Sequence, residues 1–170
     1  MTRDMNVPGL SRQPSDRLVR DFFIFYNATL VFFAIGIITT LGLGWYGGIS
    51  TPSWTPPELV IAVIWGALFV TTVISLSIIC DVQAKPAKEF RRTVLLYMGN
   101  ALLILLWNYL FFGVHFLVLA LGTAIVIGLS VLVLIFRVKD ISRAAAWLLV
   151  PYLLWMIYAI AINYAVMMMN

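Results

Sequence analysis

Between Arg92 and Arg137 the chain runs for 44 residues without a single charged side chain. As one α-helix that stretch would measure roughly 66 Å, about twice the ~30 Å hydrocarbon core of a bilayer. It must therefore turn back on itself, and Gly113–His115 is the natural place. Three other charge-free stretches accompany it, at residues 22–57, 59–80 and 144–170. Each is long enough for one crossing of about 20 residues. The pattern predicts an all-α membrane protein, a bundle of five transmembrane helices at about 22–44, 57–80, 90–112, 116–137 and 143–168.

Composition supports lipid as the main solvent. Hydrophobic residues make up 63% of the chain and charged residues 11%, and mean hydropathy is +1.02. A soluble domain would carry roughly 25% charged residues.

The charges that remain are segregated. All eleven Lys and Arg fall before residue 21, between Lys85 and Arg92, or between Arg137 and Arg143. Positive loops stay on the cytoplasmic side, so the N-terminus is expected to be cytoplasmic and the C-terminus outside. The opposite side then holds one charge, Glu58. The net charge of +4 follows from this bias, and no basic stripe stands apart from it, so nucleic acid is not an expected partner. Residues 1–21 read as a polar cytoplasmic tail, with Pro8, Gly9 and Pro14 as helix breakers and no cleavable leader. Residues 22–168 read as the membrane domain. The protein is expected to be a multi-pass integral protein of the plasma (inner) membrane of a prokaryote.

The loop after the first helix is stiff. Pro52, Pro56 and Pro57 fall within six residues, and each fixes its own φ and restricts the residue before it. Pro57 suits the first position of the second helix. Pro86 breaks the inner loop, and Pro151 is expected to kink the fifth helix by clashing with the carbonyl of Trp147.

Away from the span ends, the hydrocarbon zone contains no Asp, Glu, Lys, Arg or His. Proton relays and ion-coupled transporters place ionisable groups there, so a pump is disfavoured, as is acid–base catalysis inside the membrane. An inverted-repeat transporter would also need more helices. The lone Cys80 excludes an internal disulfide. His115, the one histidine, reads as a turn residue, and no metal site is expected.

Aromatic residues are the positive signal. Six Trp and seven Tyr are present. Trp45 and Trp54 suit an interfacial belt. Trp65 does not, since it lies about 12 Å below the outer helix end, and Trp107 and Trp155 are also deep. Ile61, Trp65 and Phe69 share one face at i, i+4, i+8, as do Trp155, Ala159 and Asn163. Asn100 and Trp107 align on the third helix. Amides in hydrocarbon must face protein or a cavity, so Asn100 and Asn163 are expected to point inward. These faces predict an aromatic pocket in the outer half of the bundle, under the proline loop. A plain aromatic core without a ligand would produce the same faces.

Trp45-Tyr46, then Pro52-Ser53-Trp54-Thr55-Pro56-Pro57, then Trp65 resembles the signature of the tryptophan-rich sensory protein / translocator protein family (TspO/MBR, peripheral benzodiazepine receptor). The run Ala146-Trp147-Leu148-Leu149-Val150-Pro151-Tyr152-Leu153-Leu154-Trp155, followed by Ala159 and Asn163, is similar to a second family motif. Trp107 with Phe111-Phe112-Gly113 is similar to a third. The resemblance covers about residues 25–167.

It implies a five-helix bundle that binds tetrapyrroles such as protoporphyrin IX and haem as ligands, with no required cofactor, in a sensory or regulatory role. It also implies a homodimer. The implied ligand-binding residues are Tyr46, Pro56, Ile61, Trp65, Phe69, Asn100, Trp107, Trp155, Ala159 and Asn163. In some bacterial members light-driven porphyrin breakdown depends on two tryptophans, which match Trp65 and Trp155, so a porphyrin-degrading enzyme is an alternative. A carrier of lipophilic small molecules is another, and a scaffold that acts through partners a third. The chain departs from the family pattern at Ile104, where an Asn is common, and at Thr51, where a Lys is usual. The sterol consensus needs a basic residue after Tyr164, and none follows, so sterol binding is not carried over.

Overall fold

The computed structural model describes residues 14–82 and 87–170, with side chains described from residue 18 to 82 and from 89 onward. The described residues form helices α1 (Pro14–Tyr46), α2 (Glu58–Asp81), α3 (Ala87–Asn108), α4 (Leu117–Lys139), α5 (Arg143–Trp147) and α6 (Val150–Met169), with a π-helical turn at Tyr109–Gly113 closing α3. Among the described residues five stretches are long and apolar enough to cross a membrane, the last of them α5 and α6 together.

α4 is the hub, packed against α3, α5 and α6, while α1 lies against α2, α3 and the π turn. The α2 and α6 backbones barely approach each other, and side chains bridge the space between them. At the end that gathers the charges, Arg20 donates to Asp21 Oδ1 (2.7 Å), to Asp81 Oδ1 (2.9 Å) and to the carbonyl of Cys80 (3.1 Å). That one guanidinium ties the start of α1 to the end of α2. Below it, Ser75 Oγ donates to the carbonyl of Ala145 at 2.8 Å. Its hydrogen is thereby used, so Tyr97 Oη is the donor in the 2.7 Å contact with Ser75.

The polar tail is shorter than the sequence predicts. α1 begins at Pro14, so residues 14–21 are helical. Pro14 opens the helix where a missing N–H costs nothing, and Arg20 finds its carboxylates there. At about 50 Å, the 33-residue helix outreaches the hydrocarbon core. Pro57 is the residue before α2, not its first. The breakers Pro8, Gly9 and Pro86 lie outside the described residues.

Pro151 does more than kink its helix. α5 ends at Trp147 and α6 starts at Val150, which leaves Pro151 in the first turn of a new helix. Without an N–H it cannot bond the carbonyl of Trp147, and the chain restarts instead. The predicted third helix also changes pitch. Val114 N–H bonds to the carbonyl of Tyr109 at 3.0 Å, five residues back. The chain then reverses through His115, whose φ of 58° is left-handed, in the segment where a turn was expected. The imidazole is exposed and stacks on the Trp45 ring at 4.1 Å.

The π turn needs Gly42. A Cβ there would lie 2.6 Å from the backbone oxygen of Phe112, whereas one at Gly36 would meet nothing within 4 Å. Gly42→Ala is therefore expected to lower stability by about 1–3 kcal/mol, while Gly36→Ala leaves it unchanged or slightly higher. Thermal unfolding of both variants in one detergent checks the contrast.

Candidate functional site: an aromatic cluster between α2 and α6

Trp65 stands at the centre of the space that α2 and α6 leave open. Its ring lies 6.4 Å from Trp107 at 28°, 6.4 Å from Trp155 at 87°, and 6.2 Å from Tyr152 at 71°. These are offset-stacked and edge-on geometries that aromatic quadrupoles favour. Trp107 continues the series to Phe111 at 5.4 Å, and Tyr46 follows, 6.1 Å from Phe111 and 5.7 Å from Phe112. On the other side Trp155 meets Tyr158 at 5.7 Å, which meets Trp54 in the loop at 5.5 Å. Rings thus connect α1, α2, α3, the π turn, α6 and the proline loop.

Hydrogen bonds hold several of these rings in place. Trp107 Nε1–H donates to Asn163 Oδ1 at 3.1 Å, and Asn163 Nδ2 donates to the carbonyl of Ala159 at 2.8 Å. Tyr152 Oη donates to Asn100 Oδ1 at 3.0 Å, and Asn100 Nδ2 donates to Ser130 Oγ at 2.6 Å. Both amides are buried, as the sequence requires. Trp155 differs. Its Nε1–H is buried and has no partner, as does Thr55 Oγ1 in the loop. An unpaired buried donor costs about 1–3 kcal/mol, so the Trp155 indole is poised to gain an acceptor.

The loop itself is tied down by the last helix. Tyr158 Oη donates to the carbonyl of Trp54 at 2.7 Å. Asn170 Oδ1 accepts from Ser50 N–H at 2.9 Å, and Asn170 Nδ2 donates to the carbonyl of Ser50 at 2.9 Å. The side-chain amide pairs with a backbone amide in both directions, as a neighbouring strand would.

Of the residues singled out from sequence, Tyr46, Trp65, Trp107, Trp155 and Asn163 meet in this network. Pro56, Ile61 and Ala159 are half-buried. Phe69 turns away: its ring packs on Phe32 of α1 at 4.9 Å. Two turns of helix below Ile61, the shared face of α2 has rotated by about 80°, and it meets α1 there. Asn100 reaches the cluster through Tyr152, so it supports a ring. The pocket foreseen as an open space is a set of interleaved rings. Tyr152, Tyr158 and Asn170 were missed. Tyr152 was legible, three residues before Trp155 on the stripe that leads to Ala159 and Asn163, whereas nothing in its residue type marks Asn170.

Among the described residues no three His, Cys, Asp or Glu side chains converge. The cluster is equipped for stacking and hydrogen bonding.

The comparisons with known proteins give the family. The TspO/MBR family profile matches residues 24–169. The chain is 29% identical over 149 residues to "Tryptophan-rich protein TspO" of Bacillus cereus, covering 88% of this chain and 94% of that protein. It is 30% identical over 155 residues to "Uncharacterized membrane protein YtaB" of Bacillus subtilis, covering 91% and 98%. It is 34% identical over 125 residues to "Translocator protein" of Sus scrofa, covering 74% of each chain. With a profile match over nearly all of its membrane part and relatives that align across it, the chain belongs to the TspO/MBR family.

Proposed function

We propose that this protein binds a tetrapyrrole, protoporphyrin IX or haem, between α2 and α6, and acts as a membrane sensor or regulator. The observation that carries the reading is the Trp155 indole. It sits in a cluster of rings that bridges α2 and α6, whose backbones barely approach each other, with a buried N–H that lacks an acceptor. A flat, π-rich ligand inserted there replaces ring–ring contacts with ring–ligand contacts, each pair adding about 0.5–1.5 kcal/mol beyond area burial. A tetrapyrrole carboxylate or ring nitrogen gives Trp155 its missing acceptor. Access requires the rings to part beneath the loop carrying Trp54, which Tyr158 and Asn170 hold in place. His115 is exposed and stacks on Trp45 at the edge of the ring series, so in this reading haem gains no imidazole ligand and is held as a flat aromatic body.

The same reading places the charged end in the cytoplasm and the cluster in the outer half of the bilayer, following the distribution of Lys and Arg. A homodimer belongs to it as well. Within one copy α1 buries none of its most apolar window.

A second reading, light-driven porphyrin breakdown, is favoured by one distance. Trp65 and Trp155 lie 6.4 Å apart at 87°, so a single bound ring can touch both indoles, and indole is a ready electron donor to a photoexcited porphyrin.

Titration with protoporphyrin IX in the dark, followed by tryptophan quenching, tests the main reading. Saturable binding in the micromolar range is expected, weakened roughly fivefold or more by Trp155→Phe through loss of the N–H. Absence of dark binding contradicts it. Illumination of the complex then separates the two readings. Soret loss that vanishes in Trp65→Phe and Trp155→Phe indicates an enzyme, and loss no faster than for free porphyrin indicates a binder.

Topology has its own check, in a Cys80→Ala background. A membrane-impermeant thiol reagent applied to intact cells is expected to label Ser53→Cys and to spare Asp140→Cys. The reverse pattern would invert the orientation.

A further inference from the structure

The rings of the cluster differ in what they can do with an electron. Indole and phenol side chains yield one to a strong oxidant, whereas the phenyl ring of Phe does not. On the α3 side the series from Trp65 through Trp107 reaches Trp45 only across Phe111. On the α6 side no phenyl ring intervenes. Trp65 meets Trp155 at 6.4 Å, Trp155 meets Tyr158 at 5.7 Å, and Tyr158 meets Trp54 at 5.5 Å. Centroid separations of this size bring ring edges into contact. The line begins in the buried cluster and ends at Trp54, which is 46% exposed in the loop. Trp155 and Tyr158 stand three residues apart on α6, so the helix sets their spacing. The 2.7 Å hydrogen bond from Tyr158 Oη to the Trp54 carbonyl sets the next one.

Two phenols border the cluster, and only one has an outlet for its proton. Tyr152 touches Trp65, yet it is buried, and its hydroxyl donates to the amide oxygen of Asn100, which is no base. The Tyr158 hydroxyl lies at the exposed edge, where water takes the proton that oxidation releases. A phenol that sheds its proton to water is oxidised more readily than an indole. An electron vacancy in the cluster therefore runs downhill to Tyr158 and not to Tyr152.

We propose that Trp155, Tyr158 and Trp54 form an electron relay that refills an oxidised indole of the cluster from the aqueous edge of the loop. The relay rests on the light-driven reading for its oxidant. A photoexcited porphyrin takes one electron from Trp155, which leaves an indole radical cation and a porphyrin radical anion. Trp155 recovers an electron from Tyr158, which loses its proton to water and becomes a neutral tyrosyl radical. The porphyrin anion passes its electron to dioxygen as superoxide. A water-soluble enediol such as ascorbate then supplies one electron, through the exposed Trp54 ring, and one proton, which restores Tyr158. The sum is one electron moved from enediol to dioxygen, with Trp155 unchanged.

Pulse radiolysis with the azide radical, which oxidises indole in preference to phenol, tests the relay without porphyrin. In the purified protein, indolyl radical absorption is expected to decay as tyrosyl radical absorption rises, at a rate independent of protein concentration. Tyr158→Phe loses this phase, and Tyr164→Phe, half a turn round α6 from Trp155, keeps it. Absence of the phase in the wild type, or its persistence in Tyr158→Phe, overturns the relay whether or not porphyrin binds. Because Tyr158→Phe also frees the loop from one hydrogen bond, a second measurement places fluorotyrosine at position 158, which keeps ring and hydroxyl. If protoporphyrin IX does not bind in the dark, the ligand reading fails and the azide measurement alone decides the relay. With porphyrin bound, a flash in air followed by freezing is expected to give a tyrosyl EPR signal split by fluorine. A radical confined to indole, or a tyrosyl signal without that splitting, overturns the relay.

Discussion

Hydrocarbon offers no hydrogen-bond partner, so most amides and hydroxyls inside the five spans find one within the protein, Thr29 Oγ1 being an exception. That requirement sets the register of the helices. Ser75, Tyr97 and the Ala145 carbonyl lock α2, α3 and α5 near the charged end. Asn100 draws in Ser130 of α4 and Tyr152 of α6. Asn163 joins α6 to Trp107 of α3, and Asn108 Nδ2 donates to Thr39 of α1 at 2.9 Å. Single bonds of this kind average only about 0.6 kcal/mol in a membrane bundle. Their value lies in direction, because each is made at only one rotation and one depth of the two helices.

The aromatic cluster follows from that register. Asn163 sets the plane of Trp107, and Asn100 places Tyr152 against Trp65. Trp65 needs no hydrogen bond of its own to be positioned, since rings from α3 and α6 surround it. Only the Trp155 N–H among the indoles is left buried without an acceptor. Pro151 contributes from a distance. It divides the last span, which lets α6 leave the direction of α5 and stand off from α2. The loop closes the same end, held by Tyr158 and by the terminal side chain of Asn170.

Much of this was legible in the residues. The charge-free stretches have lengths that five crossings satisfy, and the described residues form five such spans. Asn100 and Asn163 had to turn inward because lipid would not solvate them, and both are buried. The reversal near Gly113–His115 was forced by the length of the third stretch. Other features depended on tertiary contacts that no local pattern encodes. The start of α1 rests on a carboxylate sixty-one residues away, Asp81. The π turn rests on the missing side chain of Gly42 in another helix. Phe69 shares a helical face with Trp65, yet α1 stands beside it and takes its ring. The site residues could be nominated from motifs, but their closure into touching rings required the packing itself.

The central claim is that indoles are withdrawn from lipid into a ligand-responsive cluster. ¹⁹F NMR of protein carrying fluorotryptophan, in nanodiscs with spin-labelled lipid and with signals assigned by single Trp→Phe variants, tests it directly. The account predicts that the Trp65 and Trp155 signals are protected from the spin label and shift together when protoporphyrin IX is added. Strong broadening of either signal by the labelled lipid, with no response to porphyrin, would contradict it.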